Sequence, residues 1–175
     1  MKLSNEKKPN KLNKILMNPV FLFLLVVYSG WSVWDITRSE SSEELLMEKA
    51  NELAQKFIIT DGHIDVPWRL HKGGYEDLSV RTAGGDFDYV RATEGGLDVP
   101  FMSIYVPATY QVTGGAKAMA EELIETVERI TTDHPDKFEI AYSLSDANRI
   151  VSEGKIALPM GMENGAPIEG DLKNI

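Results

Sequence analysis

The chain has 175 residues, 43% hydrophobic and 26% charged, so it is long enough to form one ordinary domain with a core and too apolar to be disordered. Its formal net charge of -9 argues against nucleic-acid binding, because phosphate groups are bound by clustered Lys and Arg. Cysteine is absent, which excludes disulfides, thiolate metal sites and cysteine nucleophiles, and leaves His, Asp and Glu as candidate metal ligands.

A basic segment followed by an apolar segment opens the chain. Residues 1–18 contain five lysines and one glutamate, a net charge of +4, so the remaining residues carry -13. The apolar run from Val20 to Tyr28 follows. A basic stretch before an apolar one is typical of an export signal, and we favour this interpretation over a buried core helix or strand.

This order predicts that residues 1–40 are a leader and that residues 41–175 form the folded domain. Residues 15–34, taken together, approach the roughly 20 apolar residues that span a bilayer. The leader is therefore either a cleaved signal peptide or a retained membrane anchor. Both place the domain outside the cytoplasm, periplasmic or extracellular, and the anchor predicts membrane association through the N-terminal segment.

Helix and strand patterns alternate from residue 41 onward. Residues 41–57 have apolar side chains at helical spacing, after serines and paired glutamates that suit a helix start. A strand begins at Phe57 and leads into T-D-G-H-I-D-V-P-W-R-L, residues 60–70. Residues 72–97 are predicted to be a loop with short elements, because Gly-Gly pairs interrupt them.

The second half of the chain continues this alternation. A strand is predicted from about Phe101 to Val106, an amphipathic helix over 115–132 and a short strand over 138–141. Ser145 is predicted to cap a helix over 146–153, and residues 155–163 are predicted to form the last strand. Strands separated by helices at this spacing predict a parallel α/β sheet.

His63 and Asp65 stand two residues apart at the end of the first strand. In an extended strand, residues i and i+2 project from the same face about 6.5 Å apart, so an imidazole and a carboxylate can converge on one ion. At the carboxyl end of a barrel strand, such a pair points into the catalytic mouth. Taken alone, the H-x-D triplet favours a hydrogen-bonded histidine beside a solvated aspartate.

Glu163 ends the last apolar strand, where α/β proteins place functional groups. It would lie at the same end of a parallel sheet as His63 and Asp65. A carboxylate there can bridge two metal ions about 3.5 to 4 Å apart, as two-metal hydrolases require. The alternative is a glutamate that caps the next helix.

Four sequence blocks carry a family resemblance: D-G-H-I-D-V-P-W-R-L (61–70), E-G-G-L-D-V-P-F-M-S-I-Y-V-P (94–107), H-P-D-K-F-E-I-A (134–141) and E-G-K-I-A-L-P-M-G-M-E-N-G (153–165). In this order and spacing they resemble the membrane dipeptidases, which are renal dipeptidase-like zinc peptidases of the amidohydrolase-type barrels. The resemblance extends from about Ile58 to Leu172. It implies the N-terminal part, about half, of a (β/α)8 TIM barrel.

The resemblance also implies a mechanism. His63 and Asp65 would bind one of two zinc ions, and Glu163 would bridge both as the catalytic carboxylate, so that a metal-bridged hydroxide hydrolyses a dipeptide substrate. The family's further histidine ligands lie on later strands, beyond residue 175. Asp61 would contact a metal ligand without binding the metal, or would simply end the strand. Trp68 and Tyr105 would line or support the mouth of the barrel.

Two other interpretations stay open at the sequence level. The chain could be a non-catalytic truncated half-barrel with an incomplete metal site, or another amidohydrolase-type hydrolase that acts on a non-peptide amide or lactam. His71 is predicted to face solvent from a loop, and His134 to end a helix without a catalytic role. The sequence leaves open whether the chain forms a homo-oligomer.

Overall fold

The computed structural model describes residues 19–174, and among them every side chain except those of residues 21–22 and 31–41. The chain divides into two compact units, Met1–Ala50 and Asn51–Ile175. The sheet and all candidate site residues belong to the second unit. The boundary predicted at residue 40 stays a prediction.

The first described element is α1 (Pro19–Lys56), a helix of 38 residues. It contains the predicted helix over 41–57 apart from its last residue. The predicted start at Ser41 is wrong, because serine is tolerated inside a helix at small cost and no proline follows Pro19 until Pro67. None of the helices in the described part of the chain is long and apolar enough to cross a membrane.

Within residues 19–174, five strands form two sheets, and every pairing between them is parallel. In one sheet β2 (Leu97–Ile104) lies between β1 (Ile59–Ile64) and β5 (Met160–Met162). In the other, β3 (Phe138–Ile140) pairs with β4 (Ile156–Leu158). The predicted parallel α/β arrangement is confirmed.

The predicted single strand over 155–163 is wrong, because Pro159 divides it into β4 and β5. Proline has no N–H to donate to a strand ladder. Before it, the backbone pairs with β3, and Ile156 donates to the carbonyl oxygen of Lys137 at 2.9 Å. The carbonyl oxygen of Pro159 instead accepts from the N–H of Met102, on β2, at 2.8 Å. The division lets one segment contact both sheets.

Helices connect the strands, except that only Pro159 lies between β4 and β5, and two short 3-10 helices follow β5. These helices are α2 (Val66–Gly73), α3 (Tyr89–Gly95), α4 (Tyr110–Thr113), α5 (Ala116–Asp133), α6 (Leu144–Ser152) and the two 3-10 helices, Ala166–Ile168 and Leu172–Asn174. The amphipathic helix predicted over 115–132 is α5. The predicted cap of α6 is wrong, because the hydroxyl of Ser143, not that of Ser145, accepts from the N–H of Asp146 at 3.1 Å.

The strand β2 separates two sets of packed side chains. Met102 and Ile104 lie in the main core, together with Phe138 and the apolar face of α5. Val99 and Phe101 pack instead with residues of α6 and β4. Because successive residues of a strand point to opposite faces, Ser103 lies on the same face as Val99 and Phe101. The candidate site lies at the carboxyl end of that face.

Candidate metal centre

His63 lies near the carboxyl end of β1, and Asp65 is the first residue after that strand. The backbone N–H of His63 donates to Oδ1 of Asp61 at 3.0 Å, which fixes the chain as the strand ends. Asp65 takes the N-cap position of α2. Its carboxylate makes no capping hydrogen bond to the helix, and Pro67, the second helical residue, has no N–H to donate. The Asp65 carboxylate instead lies beside His63.

Glu163 reaches the same end of the sheet from β5. Its backbone N–H donates to the carbonyl oxygen of Ile104 at 3.3 Å, so the parallel pairing with β2 continues one residue beyond the strand. Strands β1 and β5 both lie beside β2 and run parallel to it. Their carboxyl ends therefore meet at one edge, and Glu163 comes close to His63 although 99 residues separate them in the chain.

The three side chains form one compact cluster. Nε2 of His63 lies 3.3 Å from Oδ1 of Asp65 and 3.6 Å from Oε2 of Glu163. Each of the three residues offers one ligand atom, and these three atoms all lie within 4.8 Å of one another. Two ligand atoms bound about 2.0 to 2.1 Å from a tetrahedral zinc ion stand about 3.4 Å apart. The separations from His63 therefore suit one divalent cation.

The donor set and its exposure also suit a catalytic cation. One imidazole nitrogen and two carboxylates are ligands for zinc and related divalent ions, and the two carboxylates supply negative charge. The side chains of His63, Asp65 and Glu163 are 51%, 60% and 37% exposed. Structural zinc sites are closed, whereas catalytic sites keep a position open for water or substrate. The residues present fit an open metal site.

Sequence reasoning missed one residue of this site, Ser103. Its hydroxyl donates to Oε2 of Glu163 at 3.0 Å, although the two residues are 60 positions apart in the sequence. The side chain is buried, with 3% of the residue exposed. The available signal was a hydroxyl between two core residues, Met102 and Ile104, in an apolar strand. That pattern shows that a polar partner is needed but not which one.

The residues predicted to support the site are Asp61, Trp68 and Tyr105. Asp61 contacts the backbone N–H of His63 rather than its imidazole. The ring of Trp68 on α2 meets that of Tyr105, just after β2, edge to face with centroids 5.2 Å apart. This contact joins α2 to the segment that directly follows β2. Whether either ring lines the mouth stays a prediction.

The two other histidines lie outside the cluster. His71 is not in a loop, as predicted, but in the last turn of α2, with Nδ1 3.7 Å from a carboxylate oxygen of Glu122. His134 ends α5, and its Nε2 lies 3.0 Å from Oδ1 of Asp77. Within residues 19–174, the group of side chains placed to hold a cation is His63, Asp65 and Glu163.

The sequence is similar to that of known dipeptidases. The family model described as membrane dipeptidase, peptidase family M19, matches residues 47–175. Dipeptidase ataJ of Aspergillus terreus is 29% identical over 127 residues, which are 66% of this chain and 31% of that protein. Dipeptidase 3 of Mus musculus is 27% identical over 135 residues, 75% of this chain and 26% of that protein.

Solved structures are similar over the same part of the chain. The probable dipeptidase PvdM of Pseudomonas aeruginosa is 28% identical with a TM-score of 0.63, over 74% of this chain and 34% of that one. A Rhodobacter sphaeroides metallopeptidase liganded with a phosphinate mimic of L-Ala-D-Ala is 20% identical with a TM-score of 0.52, over 62% of this chain and 38% of that one. At that identity the likeness shows the fold alone.

The similar proteins indicate the fold class of this chain and how much of their length it spans. The solved neighbours are TIM-barrel metallohydrolases, and the α/β arrangement described above matches part of them, which confirms the predicted fold class. The chain spans about a third of the length of the relatives and solved chains it matches.

Proposed function

Because this chain belongs to the membrane dipeptidase family, peptidase family M19, we propose that the protein containing it is a zinc-dependent dipeptidase. One observation carries the proposal. His63, Asp65 and Glu163, contributed by the carboxyl ends of two parallel strands, bring ligand atoms within 4.8 Å of one another. The carboxyl end of the strands is where barrel enzymes of this architecture carry their active sites.

The proposal assigns a role to each of these three residues. His63 and Asp65 hold one zinc ion, and Glu163 bridges it to a second one. The second ion and its further ligands follow from the family resemblance. When bound, such a cation pair lowers the pKa of water toward neutrality and polarises the carbonyl group of the scissile peptide bond.

The chain's own residues prepare this site before any ion arrives. The contact between Asp61 and the His63 N–H holds the backbone at the turn, so the imidazole starts close to both carboxylates. The two carboxylates beside Nε2 of His63 supply negative charge, which makes the site attractive to a divalent cation. The half-exposed side chains leave room for a dipeptide to approach from solvent.

The test is dipeptide hydrolysis by the protein that contains this chain, purified and loaded with Zn²⁺. L-Ala-L-Ala and L-Ala-D-Ala are suitable substrates. Glu163→Gln keeps the shape of the side chain but removes its charge. We expect the rate to fall at least about a hundredfold, because a metal ion supplies several kcal/mol of transition-state stabilisation.

A matched control separates this effect from a general change of charge. Glu125 lies exposed on α5, and Glu125→Gln makes the same chemical change away from the site. We expect its rate to equal that of the parent protein. Unchanged hydrolysis by the Glu163→Gln variant would overturn the proposal.

We also propose that the protein is exported and associates with the membrane through its N-terminal segment. The support is the basic charge of residues 1–18 followed by Val20, Phe23 and other apolar side chains, which lie exposed on α1. Fractionation of cells that express a tagged full chain tests this. Recovery of the tagged chain in the soluble cytosolic fraction would contradict export.

A further inference from the structure

Ser103 is one of three residues that are both polar and buried within the described part of the chain, with Ser79 and Asp88. It lies on β2, the strand between those that carry His63 and Glu163. Burying a hydroxyl without a partner costs free energy, so buried hydroxyls are normally hydrogen-bonded. The partner of Ser103 is a carboxylate at the candidate metal centre.

The strand register explains how this contact forms. Ser103 on β2 is paired with Gly161 on β5. Glu163 follows Gly161 by two residues, just beyond the end of β5. Residues two apart in an extended segment project from the same face, so the Glu163 side chain emerges on the side where Ser103 points. The Glu163 N–H, bonded to Ile104, fixes the backbone. The serine hydroxyl then fixes the carboxylate.

We propose that Ser103 is a positioning residue that holds the Glu163 carboxylate in the orientation needed to bind a divalent cation beside His63. This inference rests on the proposed function. Oε2 of Glu163 is the oxygen that both residues approach, at 3.0 Å from the Ser103 hydroxyl and 3.6 Å from Nε2 of His63. A rotation of the carboxylate away from His63 would break the hydrogen bond.

A hydroxyl can hold this carboxylate without blocking it. An ionised carboxylate has two oxygens and about four lone-pair sites. One hydrogen bond from Ser103 uses one site on Oε2, so the other site on Oε2 and both on Oε1 stay available to cations. A lysine or arginine at position 103 would bring a positive charge that competes with the metal. A neutral donor avoids that competition.

The alternative is a purely structural role, in which the serine only satisfies a buried carboxylate. Glu163 is not buried, since 37% of its side chain is exposed and water can solvate it. The Glu163 carboxylate therefore does not need this hydrogen bond for its own solvation, and what the bond does for Glu163 is to fix its orientation. Loss of such orienting partners typically lowers metal affinity 10- to 100-fold.

The test is calorimetric titration of the full 175-residue chain with Zn²⁺, comparing the parent chain with variants at position 103. We expect Ser103→Ala to bind Zn²⁺ about 10-fold more weakly. Ser103→Thr and Ser103→Val form a second pair with nearly the same shape, and only threonine keeps the hydroxyl. We expect the threonine variant to bind more tightly than the valine variant by a similar factor.

Ser79→Ala is the matched control, because it removes another buried hydroxyl away from the cluster. We expect it to bind Zn²⁺ as the parent chain does. The visible absorption spectrum of the Co²⁺-loaded chain adds a readout of ligand geometry, which we expect to change in Ser103→Ala and not in Ser79→Ala.

The possible results separate the inference from the proposed function. If the parent chain binds no Zn²⁺, the metal site and the role of Ser103 are both wrong. Equal affinity in the parent and Ser103→Ala chains overturns only the role of Ser103. If Ser103→Ala does not fold, the threonine and valine pair decides, and equal affinity in that pair overturns the role. An equal loss in Ser79→Ala also overturns it, because the effect is then not specific to Glu163.

Discussion

The side-chain amide of Asn164 donates a hydrogen bond to the carbonyl oxygen of Val106, with the two atoms 2.6 Å apart. Its Oδ1 accepts from the backbone N–H of Ala166 at 2.9 Å. Val106, two residues beyond β2, is fully buried. One side chain therefore ties the segment after β5 to the segment after β2, directly beside Glu163.

Asn164→Asp tests this connection. Aspartate can still accept from Ala166, but at neutral pH it has no hydrogen to donate to Val106. We expect the free energy of unfolding to fall by about 1 to 3 kcal/mol, because a buried acceptor loses its partner. Urea unfolding at neutral pH measures this. Asn148→Asp, at an exposed position of α6, is the control, with an expected change within about 0.5 kcal/mol. Equal effects of the two substitutions would contradict the prediction.

Asp88, another buried polar residue, holds the loop before α3 in place. Its carboxylate accepts from the N–H of Arg91 at 2.8 Å, from Nε of Arg91 at 2.7 Å and from the N–H of Thr82 at 3.1 Å. Burial disfavours the charged form of Asp88, but these hydrogen bonds and the guanidinium charge outweigh it. They lower the pKa of Asp88 from 3.8 to about 2.

This lowered pKa makes stability depend on pH in acid. A carboxyl group whose pKa is lower in the folded state stabilises the fold fully above its unfolded pKa, and this contribution is lost as pH falls through the folded pKa. For Asp88 the window extends from about pH 4 down to about pH 2, and the contribution is about 2 kcal/mol. Asp88→Asn should therefore flatten the plot of unfolding free energy against pH in this window.

Chemical unfolding at a series of pH values from 2 to 5 measures the slope for the parent chain and the variant. Glu139, whose pKa is also held at about 2 by Arg149 and Lys155, keeps its own contribution in the variant. The slope should therefore decrease without vanishing. An unchanged slope would show that Asp88 does not make the expected contribution to the pH dependence of the unfolding free energy.

Local sequence patterns predict much of the site, because His63 and Asp65 are close in the sequence. His63 and Asp65 are two residues apart at a strand end, so the period of a strand predicts that they meet. Glu163 could be added because parallel strands place their carboxyl ends at one edge. The structure brings all three together. Their metal-binding roles stay predictions.

Contacts between distant segments could not be predicted in this way. A lone serine at 103 gives no signal of a glutamate 60 residues later. The apolar run around Pro159 looks continuous, and only the two different partner strands reveal the division. His71 was assigned to a loop because Gly73 and Gly74 follow it, whereas the helix continues through His71 up to Gly73. The cap at Ser143 instead of Ser145 is evident only from the backbone, which is extended at Ser143.

Gly96 is the next position at which the structure makes a sharp prediction. It ends α3 with a φ of 73°, in the left-handed region, and a Cβ atom there would lie 2.6 Å from the carbonyl oxygen of Ala54. Gly96→Ala should reduce the free energy of unfolding by at least about 2 kcal/mol, because backbone strain and a backbone collision add together.

Gly95→Ala is the matched control for this substitution. Gly95 is the last residue of α3, and among the described residues no heavy atom outside its chain neighbours and the helix backbone comes within 4 Å of a Cβ placed there. Alanine is favoured over glycine inside a helix, so this variant should be as stable as the parent chain or slightly more stable. Thermal unfolding followed by circular dichroism compares the two. Equal melting temperatures for both variants would show that the segment around Gly96 relaxes without cost.

The last prediction concerns stabilisation by the metal itself. A ligand that binds only the folded chain raises the free energy of unfolding by about 2.7 kcal/mol at 100 times its Kd. Zn²⁺ should therefore raise the melting temperature of the 175-residue chain, and a chelator should reverse the increase. His63→Gln removes the imidazole that lies between Asp65 and Glu163, so most of the increase should be lost. His71→Gln removes a histidine outside the cluster and should retain the full increase. A Zn²⁺-dependent increase of equal size in both variants would mean that the cation binds elsewhere, and the proposed function would lose the observation on which it rests.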